Sequence, residues 1–150
     1  MDVRPYAPSD RAACLDIFDS NTPQFFHPVE RPDFEAFLNL PDCAYFVMEH
    51  EGGVVGCGGY AIAENGAVAS LVWGMIRTDL HGHGLGRFLL LFRLREIGRA
   101  GGVQMVRLGT SQRTAAFFGK QGFKTISVDK DGYAPGIDRI EMAMKLAVCA

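Results

Sequence analysis

The run His81-Gly82-His83-Gly84-Leu85-Gly86-Arg87 lies between an apolar, partly β-branched stretch, Ala67 to Ile76, and a Leu- and Phe-rich stretch, Phe88 to Ile97. A glycine-rich turn from strand to helix presents several backbone N–H groups at a helix N-terminus. There the orphan donors and the helix dipole favour an anion. Glycine lets those amides approach the guest closely and supplies φ > 0 where the turn demands it. The guest that suits such a cradle is a phosphate or pyrophosphate.

Two common phosphate motifs fail on residue 87. A dinucleotide fingerprint G-x-G-x-x-G beginning at Gly82 requires glycine there, and Arg87 occupies the position. A P-loop beginning at Gly82 requires the same glycine followed by lysine, and Phe88 follows. The turn instead resembles the R/Q-x-x-G-x-G/A motif of the GNAT family of N-acetyltransferases. Gly84 and Gly86 match its two fixed positions, and His81 stands where the family usually has Arg or Gln. A second segment strengthens the resemblance. Thr110-Ser111-Gln112, then Ala115-Ala116-Phe117-Phe118 and on to Gly122-Phe123, is similar to the family's A-x-x-F-Y-x-x-x-G-F helix. The spacing between the segments, with a strand at Val103 to Leu108, also follows the family, so the likeness extends over nearly the whole chain.

The resemblance implies acetyl-CoA as acyl donor, with its pyrophosphate on the amides of Gly82, His83, Gly84, Leu85, Gly86 and Arg87. It implies that the exposed edge of Gly74-Met75-Ile76 meets the pantetheine amides, since an unpaired strand edge offers N–H and C=O groups to a ligand. His81, Ser111 and Phe118 complete the expected cofactor contacts. Proton management departs from the family. The tyrosine that serves many members as general acid is Phe118, which has no proton to give. The family's asparagine at the start of that helix is Ser111, and no acidic residue lies within Val68 to Ile76 to act as base. The expected catalytic substitutes are Tyr133 and Ser111, with Tyr60 a further tyrosine in the meander. General acid–base help contributes about 10²–10⁴-fold, so its loss slows such an enzyme without abolishing it, because proximity supplies much of the acceleration. Arg87, in the first turn of the helix, opposes the helix dipole unless an anion sits opposite. Arg93, Arg95 and Arg99 read as a solvated basic face. Trp73, Phe25-Phe26-His27 and Phe117 read as core or pocket wall.

The 150 residues predict one domain, 1–150, burying roughly two-thirds of its unfolded surface. With 48% hydrophobic and 21% charged residues the chain is predicted to be ordered, and its net charge of −2 argues against a general nucleic-acid binder. No apolar run reaches the roughly 18 residues of a membrane span, and Met1-Asp2-Val3-Arg4 does not read as a signal peptide. Cys14, Cys43, Cys57 and Cys149 form no C-x-x-C pair, which predicts free thiols in a cytoplasmic protein. His81 and His83, flanked by glycines and lacking a nearby carboxylate or thiol cluster, are expected to be loop residues, and no metal is expected.

The elements that must position these residues follow from periodicity and turn chemistry. A strand at Asp2–Tyr6 precedes a helix at Arg11–Phe18 capped by Ser9-Asp10. Asn21 to Pro32 is a proline-broken loop, and a second helix runs from Asp33 to Leu40. Strands at Cys43–Glu51, Val54–Ala63 and Val68–Ile76, joined by Glu51-Gly52-Gly53 and Asn65-Gly66, make an antiparallel meander. The helix after the glycine turn and the strand Val103–Leu108 add a parallel pair. Phe123–Val128 and Ile137–Leu146 flank a loop, Asp129 to Gly136. The predicted class is α+β with a mixed, mostly antiparallel sheet of about seven strands and four helices. The resemblance implies that the fourth and fifth strands splay apart to admit the pantetheine arm.

These features predict an acetyl-CoA-dependent N-acetyltransferase in which a primary amine attacks the thioester directly. A small amine, an amino-acid derivative, an antibiotic and a protein N-terminus all remain open as acceptor, and the chain could act as a homodimer. The alternative is an acyl-CoA-binding module that kept the cradle and lost its acid at Phe118. A nucleotide-dependent redox domain is disfavoured by the failed dinucleotide fingerprint.

Overall fold

The computed structural model describes residues 1–146, so Cys149 lies outside the described residues; Cys14, Cys43 and Cys57 are free thiols. Seven strands are β1 (Asp2–Pro5), β2 (Ala44–His50), β3 (Gly53–Ile62), β4 (Val68–Ile76), β5 (Met105–Thr110), β6 (Lys124–Ala134) and β7 (Ile137–Lys145). Four helices are α1 (Arg11–Ser20), α2 (Arg31–Asn39), α3 (Leu85–Arg99) and α4 (Ala115–Lys120). The strands form one sheet in the order β1-β2-β3-β4-β5-β7-β6. All pairs are antiparallel except β4 with β5. The meander follows from its turns: Glu51 and Gly52 both take φ > 0, as a two-residue hairpin of matching twist requires.

The parallel pair is the feature that positions the site. β4 and β5 are in register only from Val68 opposite Met105 to Ser70 opposite Arg107. Beyond that point β4 has no strand on its outer side, whereas β5 stays paired with β7 along its whole length. The expected splay is therefore present.

Helices cover both faces. α1 and α2 seal one face with Phe18, Phe34 and Leu38 packed on Tyr45, Val47 and Cys57. On the other face Leu90 and Ile97 of α3 meet Val106 and Leu108 of β5, with Phe117 and Phe118 of α4 at the margin. Leu85 and Leu89, at the start of α3, join Met48, Val55 and Ile76. Burial of these side chains, worth roughly 1.5–3 kcal/mol each, fixes the N-terminus of α3 against the end of β4.

Several expected boundaries move. The proline-rich loop closes earlier than predicted, because Pro28–Glu30 forms a 3-10 turn leading directly into α2 at Arg31. Pro32 falls in the first helical turn, where its missing N–H costs nothing. β6 continues through Lys124–Ala134, so most of the predicted loop is strand, with a register shift between Asp129 and Ala134. Asp10 does not cap α1 by its side chain. Its carboxylate accepts the Ala7 N–H at 2.9 Å and both terminal guanidinium nitrogens of Arg4 at 2.8 and 2.9 Å. Arg93 is not on a solvated face: it is 4% exposed.

Candidate active site

A cleft of about 670 Å³ opens where β4 and β5 part, walled by the glycine turn and α3 on one side and by β5 and α4 on the other. Gly82 and Gly84 have φ of +82° and +80°, and a Cβ on either would touch nothing within 4 Å. Glycine is needed at both for backbone conformation rather than space. The amides of Gly82, His83 and Gly84 donate to no backbone group among the described residues. Leu85, Gly86 and Arg87 contribute the unpaired N–H groups of a helix's first turn. α3 is 15 residues long, so its dipole is well developed at this end. Arg87 is exposed and forms no ion pair among the described residues, leaving its charge beside the amides. An anionic diphosphate fits this donor set. The side chains of the turn divide. Leu85 is buried in the core and can offer only its amide, whereas His83 is exposed and does not line the cleft.

The outer edge of β4 is shaped by a register shift opposite Cys57–Gly59. Trp73 there has φ of 42°, an unfavourable conformation for a bulky residue. Such a residue costs about 1–3 kcal/mol and persists only where its surroundings over-determine it. Here the Tyr45 hydroxyl donates to the Trp73 carbonyl at 2.8 Å, and the indole packs among Phe26, Phe34 and Phe37. The result leaves Gly74 open to the cleft. Met75 and Ile76 turn their side chains into the two cores. The Ile76 carbonyl is not free for a ligand, contrary to expectation: Asn21 Nδ2 donates to it at 2.9 Å, and His81 Nε2 lies 2.8 Å from it. His81 is thereby tied to β4, with its ring 5.0 Å from that of Phe25.

The groups that could manage protons come from separate elements. Tyr133 belongs to β6 rather than to a loop, and its hydroxyl stands over Gly109 of β5, 2.8 Å from where a Cβ would lie. Burial raises its pKa. Ser111 is buried at the cleft wall, and its Oγ accepts the Arg113 N–H at 3.2 Å just ahead of α4. Phe118 lines the same wall, edge-on to Phe117 at 5.1 Å and Phe123 at 5.8 Å. Tyr60 stacks on Phe46 and does not line the cleft.

Four charged residues that line the cleft are not among the sequence-based site candidates: Glu30, Arg93, Arg113 and Arg139. Glu30, at the end of the 3-10 turn, is the one carboxylate lining the cleft among the described residues. One of its oxygens accepts the His27 N–H at 2.9 Å, and burial raises its pKa against that bond. Arg113 pins the segment before Glu30 by donating to the carbonyls of Pro23, at 3.0 Å, and Gln24. Arg93 reaches from α3 to the backbone of Gly58 and Gly74. A helical signal for it exists: Leu89, Arg93 and Ile97 recur every four residues, placing the arginine on the buried stripe.

The site can hold an anionic diphosphate at one end, an extended amide-bearing arm along β4, and a nucleophile arriving beside Glu30 and Tyr133. No curated protein sequence matches the chain. The acetyltransferase (GNAT) family matches residues 14–123, from α1 to the residue before β6. Among solved structures, a protein assigned to the GNAT family from Desulfovibrio desulfuricans superposes with a TM-score of 0.82 at 21% identity, covering 97% of this chain and 99% of that one. The ribosomal-protein-S18-alanine N-acetyltransferase from Escherichia coli gives 0.81 at 18% identity, covering 99% and 96%. An aminoglycoside 6′-N-acetyltransferase complexed with coenzyme A gives 0.79 at 14%, covering 100% and 99%. With the family matched over more than half its length and the splayed cleft in place, this chain belongs to the GNAT family of acetyltransferases, whose acyl donor is acetyl-CoA.

Proposed function

We propose that the protein transfers the acetyl group of acetyl-CoA to a primary amine in the cytoplasm, by direct attack of the amine on the thioester carbonyl. The observation that carries this reading is the presence of Glu30 in the same cleft as the unpartnered amides of α3. When bound, acetyl-CoA supplies an activated acyl carbon and a thiol leaving group. An amine reaches the cleft mostly as an ammonium and must lose a proton before it can attack. Glu30 attracts the cation and accepts that proton, directly or through one water. Its burial-raised pKa brings it closer to the operating pH, where a general base is most effective. Tyr133, whose hydroxyl stands over Gly109 at the cleft wall, is the group we assign to proton delivery. Ser111 keeps its hydroxyl hydrogen for a pantetheine amide. The Gly82–Arg87 amides fix the far end of the donor, so the reacting atoms are held rather than gathered by diffusion.

Phe118 supports a second reading, a module that binds acyl-CoA without turning it over. Thiol release from acetyl-CoA over a panel of primary amines, beside calorimetric titration with coenzyme A, separates the two. Release dependent on an amine supports transfer. Binding with no release on any amine supports the module and overturns the first reading.

A further inference from the structure

Arg93 is a buried cation without an anion. It forms no ion pair among the described residues, and its Nε has no hydrogen-bond partner. Its only bond is a long one from a terminal nitrogen to the Gly59 carbonyl at 3.4 Å. Desolvation lowers its pKa to about 10, which leaves it charged at neutral pH. Two glycines make room for the head. A Cβ on Gly74 would lie 2.9 Å from both terminal nitrogens, and one on Gly58 would lie 3.3 Å from the guanidinium carbon. A charge taken out of water and left unpaired is unfavourable, and a buried charge is retained at least cost when a partner or ligand compensates it. Were the side chain only filling space, methionine would fill it without a desolvation penalty.

The location suggests what compensates it. Arg93 lies eight residues along α3 from Leu85. At about 1.5 Å of rise per residue that is roughly 12 Å. That distance is within the reach of a pantetheine arm from its diphosphate to its sulfur. Its head lies beside Gly74, which is open to the cleft, and the cleft wall from α4 presents Phe117 and Phe118, which can neither donate a proton nor hold charge.

We infer that Arg93 is the electrostatic partner of the leaving sulfur, holding the coenzyme A thiolate beside Gly74. This rests on the reading of the cleft as an acetyl-CoA site. The amine nitrogen forms a bond to the acyl carbon, the carbon–sulfur bond breaks, and its electron pair stays on sulfur as a thiolate. Glu30 releases to water the proton it took from the ammonium and then accepts the second one, carried by the nitrogen after attack. The thiolate takes its proton afterwards from Tyr133 or water. Arg93 keeps its own protons throughout. Its titratable neighbours are Tyr45 on β2 and Cys57 on β3.

The test compares Arg93→Met, Arg93→Lys and Arg93→Met/Phe118→Tyr with wild type, each checked for fold by circular dichroism. Arg93→Met should lower kcat about 100-fold, the cost of removing one preorganised charge partner, with little change in KM for acetyl-CoA. Arg93→Lys should retain most of the rate. Phe118→Tyr should return about tenfold in the Arg93→Met background by supplying an acid, which a packing role for Arg93 would not produce. A binding readout stands apart from turnover. The preference of the wild-type protein for coenzyme A over desulfo-coenzyme A should grow as pH rises from about 7 to about 9 through the ordinary thiol range. Arg93→Met should lose that growth. Wild type showing no pH-dependent preference overturns the inference even if every variant misfolds, and so does a folded Arg93→Met with unchanged kcat. Failure of wild type to bind coenzyme A at all would instead overturn the cleft assignment.

Discussion

Replacing Tyr45 by phenylalanine removes one oxygen and little else, which makes it a clean probe of the strained edge of β4. Tyr45 is 5% exposed, and its ring would keep its edge-on contacts with Tyr6 and Phe37. What disappears is the 2.8 Å bond to the Trp73 carbonyl. This carbonyl is part-buried, so losing its partner costs up to about 1–3 kcal/mol. The residue it holds, with φ of 42°, stores a comparable amount of strain. Tyr45→Phe should therefore lower stability by about 1–3 kcal/mol, and each kcal/mol should lower Tm by about 2–4 °C for a chain this long. Burial holds the Tyr45 hydroxyl well above its ordinary pKa, so the effect should be flat across the neutral range. Tyr6→Phe is the control: its hydroxyl donates to the Leu38 carbonyl at 3.0 Å in a similarly part-buried setting, but Leu38 has no positive φ to be held in place, so the loss should matter less. Because Gly74 adjoins Trp73, coenzyme A affinity should weaken in Tyr45→Phe and hold in Tyr6→Phe. Denaturant unfolding and calorimetry read both quantities. Wild-type stability and affinity in Tyr45→Phe would refute the view that this hydroxyl holds the edge in place.

Gly86→Ala separates the cradle from the fold. A Cβ there meets Phe117 at 3.6 Å, an ordinary contact. The helix should gain up to about 1 kcal/mol from propensity while coenzyme A binding weakens; equal affinity would remove Gly86 from the cradle. Glu30→Gln should lower kcat/KM for the amine and abolish the acidic limb of its pH profile. In wild type that limb should sit above the ordinary carboxylate range, with activity lost as pH falls through the raised pKa; a limb unchanged in Glu30→Gln assigns it elsewhere. Tyr133→Phe should reduce kcat by about tenfold with acceptor KM unchanged, and unchanged turnover would leave water as the route of the proton.

The residues legible in the sequence are those whose role is local. Gly82 and Gly84 announce a turn because a backbone conformation selects the residue type, and Gly52 and Gly66 announce hairpins for the same reason. Seven strands and three helices follow from period and punctuation, and the fourth helix from the resemblance of Ala115 to Phe123 to the family's segment. What escapes depends on partners distant in the chain. β6 carries Asp129, Lys130, Asp131 and Gly132, a loop composition, yet the strand runs on to Ala134, with Asp129 and Ala134 paired to Arg139 and Ile137 of β7 on either side of a register shift. Trp73 gives no sign of φ > 0, because the hydroxyl that holds it belongs to β2. Glu30 is hidden by the prolines around it, although Pro32 sits where a helix accepts proline. The charge of Arg93 points to the surface, while its four-residue spacing from Leu89 and Ile97 points inside, and the spacing wins.

The most direct test of the account is calorimetric titration of acetyl-CoA into wild type and into a Gly84→Asp/Gly86→Asp variant shown to be folded by circular dichroism. Two carboxylates placed among the α3 amides should abolish binding that wild type displays. A folded double variant that binds acetyl-CoA as wild type does would contradict the central claim that the Gly82–Arg87 turn is the diphosphate cradle.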